Sequence, residues 1–125
     1  MNKAIFTDKA PAAIGPYSQA ILAGNTLYVS GQLPADAATG AFSGSDIRSQ
    51  TRQSLTNIGY ILHEAGFDFC HVVKSTVYLK HISEFAAMNE VYAEFFQPPF
   101  PARAAYEVGS LPKDALVEIE VVAVK

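Results

Sequence analysis

The chain holds one cysteine, Cys70, and no tryptophan. A single thiol excludes an internal disulfide framework and suits a reducing compartment, so a cytoplasmic protein is expected. Clustered positive charge is missing as well. Nine Lys and Arg residues stand against twelve Asp and Glu, a net charge of −3, and no basic run occurs. Proteins that hold nucleic acid gather positive charge on one face, so no nucleic-acid partner is expected. No apolar run approaches the roughly 20 residues that a membrane helix needs, and no membrane partner is expected. The opening segment turns polar at Thr7-Asp8-Lys9, too early for the apolar core of a secretory leader. Cys70, His63, His71 and His81 show no metal-ligand spacing, and no Gly-x-Ser-x-Gly elbow, phosphate loop or dinucleotide fingerprint appears. No metal and no cofactor are therefore expected.

Charge of either sign is scarce, at 17% of 125 residues, while half the residues are apolar. The length fits one domain spanning residues 1–125 with a real core. So little polar surface points to an oligomer that hides the excess apolar area in an interface.

Along the chain, Ala4-Ile5-Phe6 predicts a first strand. Tyr17 to Ala23 and Thr26 to Ser30 predict two more, joined by the Gly24-Asn25 turn. Residues 31–44 predict a loop, rich in Gly, Pro, Ala and Asp. Ile47, Thr51, Leu55, Ile58, Leu62 and Ala65 recur at helical spacing, with Ser45 or Asp46 able to cap the start and Gly66 to stop the end. A second helix is predicted from a Ser83 cap through the stripe Phe85, Met88, Tyr92, Phe95 and Phe96, ended by Pro98-Pro99. Strands over Val72 to Leu79, Ala102 to Val108 and Leu116 to Val124 complete the order βββαβαββ. This order predicts an α+β fold, a mixed sheet with two helices packed on one face. In the last strand Val117, Ile119, Val121 and Ala123 share one face, and Glu118, Glu120, Val122 and Val124 share the other. Two valines beside two carboxylates suggest that another subunit covers part of that second face.

Among residues able to carry chemistry, Arg103 stands out. The proline of Phe100-Pro101 restricts the backbone before it, and its guanidinium matches a carboxylate through two parallel hydrogen bonds. The alternative for Arg103 is a rim salt bridge of little energetic weight. Glu118 and Glu120 are either solvated carboxylates or, if one is partly buried, a group that positions water and moves a proton. Gly15-Pro16-Tyr17-Ser18 and Val29-Ser30-Gly31-Gln32 allow close backbone approach to a ligand, though turn chemistry explains both equally well. Asn89 can satisfy a buried polar group or face solvent.

Taken together in order, Ala10-Pro11-Ala12-Ala13-Ile14-Gly15-Pro16-Tyr17-Ser18-Gln19, Val29-Ser30-Gly31-Gln32, Phe100-Pro101-Ala102-Arg103 and Val117-Glu118-Ile119-Glu120 resemble the YjgF/RidA family, with Asn89 and Leu111-Pro112 also in place. The resemblance spans essentially the whole chain. It implies a chorismate-mutase-like fold and a homotrimer with three ligand sites in clefts between subunits. It also implies hydrolysis of 2-iminobutanoate, 2-iminopropanoate and their enamine tautomers to 2-keto acids and ammonia. By the same resemblance Arg103 binds the substrate carboxylate and Glu118 orients the attacking water. Tyr17, Ser30, Gly31 and Asn89 line the pocket, Tyr17 close to the reacting groups, and the backbone of Ala105 meets the imine nitrogen. Many family members carry a small polar residue or cysteine where this chain has Ala105, which bears on the preferred imino acid. Two other activities stay open at this point: cleavage of messenger RNA, also attributed to the family, and non-catalytic sensing of small 2-keto acids.

Overall fold

The computed structural model describes residues 1–125. Its main elements are β1 (Lys3–Ile5), β2 (Ala20–Ala23), β3 (Thr26–Gln32), α1 (Ile47–Glu64), β4 (Val72–Leu79), α2 (Phe85–Tyr92), β5 (Ala102–Glu107) and β6 (Val117–Val124). The βββαβαββ order is the expected one, with short 3-10 turns added at Phe69–His71, Ile82–Glu84 and Pro112–Asp114. The strands form one six-stranded sheet in the order β1-β2-β3-β6-β4-β5. The β4–β5 pair is parallel and every other pair is antiparallel. Parallel neighbours need a crossover connection, and α2 supplies it.

Strand β6 lies at the centre and organises both faces. Val117, Ile119, Val121 and Ala123 are each 3% exposed or less, and they pack against Leu55, Ile58, Ile61 and Leu62 of α1. Fully burying a side chain of this kind contributes about 1.5–3 kcal/mol. On the other face Glu118, Glu120 and Val122 are half-buried, beside the exposed Tyr28 and Tyr106. Both helices therefore cover one face of the sheet, as the alternation in β6 requires.

The turn and helix signals hold in most places. Gly24 adopts a left-handed φ of +62° in the tight β2–β3 turn. Asp46 caps α1 by accepting a hydrogen bond from the Ser49 amide at 3.0 Å, and Gly66, with φ +79°, follows its end. Four local expectations need correction. Ser83 does not cap α2. Residues 82–84 form a 3-10 turn whose first amide, that of Ile82, is satisfied from β5 by the Glu107 carboxylate at 2.9 Å. The helix itself stops at Tyr92, although Phe96 stays buried beyond it. Gly31 and Gln32, expected in a loop, belong to β3, which reaches them across a bulge against β6.

Residues 17–19, expected in β2, are irregular because Gln19 turns inward. Its side chain, 3% exposed, accepts from the Thr7 amide at 2.8 Å and donates to the Pro11 and Thr7 carbonyls at 2.8 and 3.0 Å. Its carbonyl accepts from the Ser30 amide, and the Ser30 hydroxyl donates to the Ser18 carbonyl at 2.6 Å. One glutamine thus suspends the segment carrying Tyr17 between the end of β1 and the bulge of β3. Substituting Gln19→Leu leaves a buried amide and carbonyl without partners. We expect a loss of about 2–4 kcal/mol in urea unfolding, with the far-UV spectrum retained.

Candidate active site

Arg103 lies on β5 opposite Ser75 of β4, whose hydroxyl is buried on the helix side and hydrogen-bonded to the Tyr92 hydroxyl at 2.7 Å. The arginine accordingly projects toward α2. One guanidinium nitrogen donates to Asn89 Oδ1 at 2.6 Å. The guanidinium carbon lies 4.8 Å from the Tyr92 ring centroid and 5.3 Å from that of Phe85. A cation over an aromatic face is attracted by the ring quadrupole, and two such faces also restrict its rotamers. A groove of about 670 Å³ opens above it, lined by Asn89, Glu90, Tyr92, Ala93, Phe100, Pro101 and Arg103.

The other arginines are already paired. Arg48 bridges to Glu90 at 2.5 Å and Arg52 to Glu94 at 2.9 Å. Arg103 alone among the arginines has no carboxylate within ion-pair distance, so its remaining N–H donors are open to an anion from outside the chain.

Glu118 occupies the opposite face of the sheet. It pairs with Tyr78 in the β4–β6 register, and its carboxylate is half-buried. Burial first, and then the nearby Glu120, raise its proton affinity above the usual glutamate range. The carboxylate lies over Gly31: a Cβ at that position would meet Glu118 Oε2 at 2.4 Å. Glycine here leaves room for the Glu118 carboxylate and is not demanded by its backbone angles. Beside Gly31, Tyr17 is 56% exposed and borders a small cavity of about 90 Å³ with Gln32 and Lys113. Lys113 and Asp114 hold left-handed φ angles of 56° and 58°, and a Lys80–Asp114 ion pair at 2.6 Å steadies that turn. Such backbone costs energy and persists only where the surroundings enforce it.

The expected residues therefore fall into two groups within one chain. Arg103 and Asn89 meet in the groove against α2. Tyr17, Gly31 and Glu118 cluster around the bulge of β3, with Ser30 beneath them as the anchor of the Tyr17 segment. Ala105 lies on β5 two residues past Arg103 and pairs with Val77, its methyl against the core. Arg103 and Glu118 point away from each other across the sheet. Sequence reasoning missed the aromatic clamp, because Phe85 and Tyr92 read as ordinary members of an apolar stripe. It also missed Tyr78 and Lys113, which carried no local signal. A separate cleft of about 320 Å³, holding Cys70 with Phe69, Phe95 and Phe96, contains none of the expected residues.

A family model described as Endoribonuclease L-PSP matches residues 7–125. The 2-iminobutanoate/2-iminopropanoate deaminase of Bos taurus is 54% identical over 125 residues, covering 100% of this chain and 91% of that protein. Among solved structures, a protein of the conserved Rid family from Yersinia pestis superimposes with a TM-score of 0.97 at 46% identity, over 100% of both chains. Escherichia coli TdcF with bound serine gives 0.94 at 40% identity, over 98% of each chain.

The contact between Gly31 and Glu118 is directly testable. In Gly31→Ala the new methyl displaces the flexible carboxylate end and leaves the strand in place. A crystal structure should show Glu118 swung away with β3 unmoved, and unfolding stability should change by no more than about 1 kcal/mol.

Proposed function

This chain belongs to the YjgF/RidA family, the one its family model describes as Endoribonuclease L-PSP, and from that premise we propose that it hydrolyses small 2-imino acids to 2-keto acids and ammonia in the cytoplasm. One observation carries the reading: a clamped arginine without an acidic partner, facing a groove sized for a small molecule. The serine bound to TdcF and the deaminase name of the Bos taurus relative agree with a ligand bearing a carboxylate beside a carbon–nitrogen bond.

In this reading the active unit is a trimer. Tyr28, Tyr106 and Val124 leave apolar area on the open face of the sheet, and a second subunit would cover it. Each cleft would then join Arg103 and Asn89 of one subunit to Tyr17, Gly31 and Glu118 of the next. Arg103 binds the substrate carboxylate through two parallel N–H···O bonds. An imine carbon is already electrophilic, so catalysis consists largely of placing it against water. The water oxygen bonds to that carbon as one proton passes to Glu118. Glu118 returns the proton to nitrogen, the C–N bond breaks, and the hydroxyl proton leaves with the ammonia. A carboxylate of raised proton affinity suits both halves of this exchange. The backbone of Ala105, two residues past Arg103 on β5, would meet the imine nitrogen.

The experiment is a coupled assay in which a dehydratase releases the imine and keto-acid formation is followed. Arg103→Lys keeps the charge but loses the planar fork, and activity should fall substantially. Arg103→Ala should lose more, since removing one charged partner from a partly desolvated site costs roughly 2–5 kcal/mol, on the order of 30-fold or greater in rate. Light scattering should show an intact trimer for both variants. An Arg103→Ala trimer with unchanged turnover would overturn the site. RNA cleavage that resists physiological salt and disappears in Arg103→Ala would move the function to a nuclease.

A further inference from the structure

Glu120 stands two residues beyond Glu118 on the same face of β6, and the hydrolytic scheme gives it nothing to do. Its Oε1 accepts the hydroxyl hydrogen of Tyr78. Tyr78 itself lies opposite Glu118 in the β4–β6 register, while Thr76 lies opposite Glu120. The hydroxyl therefore reaches diagonally from the partner of one carboxylate to the other, a separation that aromatic side chains span. Tyr106 of β5 braces the Tyr78 ring edge-on, with centroids 5.6 Å apart and planes at 83°. Of the two carboxylates one is tethered, and the other, Glu118, receives no hydrogen bond from the chain.

We propose that Tyr78 and Glu120 are positioning residues for Glu118: the tether fixes one carboxylate beside the other, so that Glu118 alone is free to exchange a proton with water. The proposal rests on the deaminase reading only for the use made of that proton; the tether belongs to the sheet. A carboxylate held close to Glu118 disfavours its ionised form and adds to the effect of burial. The hydrogen bond to Glu120, and then burial, hold the Tyr78 hydroxyl well above the ordinary tyrosine range, which favours its role as donor. The other titratable groups on this face are Tyr28 of β3, Lys74 of β4 and Tyr106 of β5, with Lys80, paired to Asp114, just past the end of β4, and Tyr17 and Lys113 beyond Gly31. None of them hydrogen-bonds Glu118, which leaves Glu120 as the charge within the chain that acts on it beside burial. In the proposed trimer Arg103 of the next subunit faces the same cleft and acts equally in wild type and variants.

The test titrates Glu118 directly, by carbon-13 NMR of full-length protein labelled at the glutamate side-chain carboxyls, with Glu118→Gln identifying the signal. Glu120→Gln removes the neighbouring charge, and the Glu118 midpoint should fall toward the ordinary glutamate range. Tyr78→Phe keeps the ring against Tyr106 but frees Glu120 to turn toward solvent, so the midpoint should fall by a smaller amount. The acid limb of turnover in the dehydratase-coupled assay should move in the same direction. Should Tyr78→Phe fail to fold, Glu120→Gln decides alone. A Glu118 midpoint that stays put in the folded variants, even with lowered thermal stability, overturns the proposal and reduces the pair to a structural contact. Shifted midpoints with no imine hydrolysis in the wild type would uphold the tether and remove the deaminase reading instead.

Discussion

The alternation of β6 constrains everything around it. A strand at the centre of a sheet presents successive side chains to opposite faces, and here the odd-numbered positions from Val117 to Ala123 are all apolar and buried under α1. The even-numbered positions must then face the other way, carboxylates included. Shifting the register by one residue would drive Glu118 and Glu120 into the helix-covered core, at a desolvation cost the fold could not offset. The placement of Glu118 over Gly31, the reach of Tyr78 to Glu120 and the exposure of Tyr28 and Tyr106 all follow from that one pattern.

The same constraint separates the groups proposed to act on the substrate. Arg103 shares the helix side with Ser75, Tyr92 and Asn89, whereas Glu118 shares the open side with Tyr78. A 2-imino acid is only a few bonds long and cannot touch both within one chain. The proposed trimer resolves the geometry, because it brings the open face of one sheet against a neighbour and spends apolar surface that would otherwise meet water. The arginine is held by one hydrogen bond and two aromatic faces, so little side-chain freedom would be lost if it bound the proposed carboxylate. Arg48 and Arg52 differ only in their surroundings: each lies on α1 within reach of an α2 carboxylate, and each is spent on it.

Much of this was legible in the sequence where the causes are local. Gly24-Asn25, the Asp46 cap and the period-two pattern of β6 each act within a few residues, and each lies where the pattern indicates. Arg103, Glu118 and the Tyr17 and Gly31 segments were picked out by residue type and by family resemblance. What was not legible depends on partners distant along the chain. Ser83 looked like a cap, but Glu107 from β5 satisfies the first amide of that turn. Tyr17 to Gln19 looked like strand, but Gln19 is drawn inward by Thr7 and Pro11. Phe85 and Tyr92 looked like core alone, because a helical stripe does not reveal that an arginine from a strand will lie across it.

The central claim is that each reaction site is shared between subunits, with Arg103 from one and Glu118 from the next. Mixing subunits tests it most directly. Arg103→Ala and Glu118→Gln are each assembled alone and shown to be inactive, then unfolded together, refolded at equal ratio and assayed for keto-acid formation. In random mixed trimers about a quarter of the clefts would regain one intact arginine and one intact glutamate. Shared clefts require activity to return to about that fraction of wild type. Mixed trimers as inactive as their parents would contradict the claim and put both residues in one chain's site or in none.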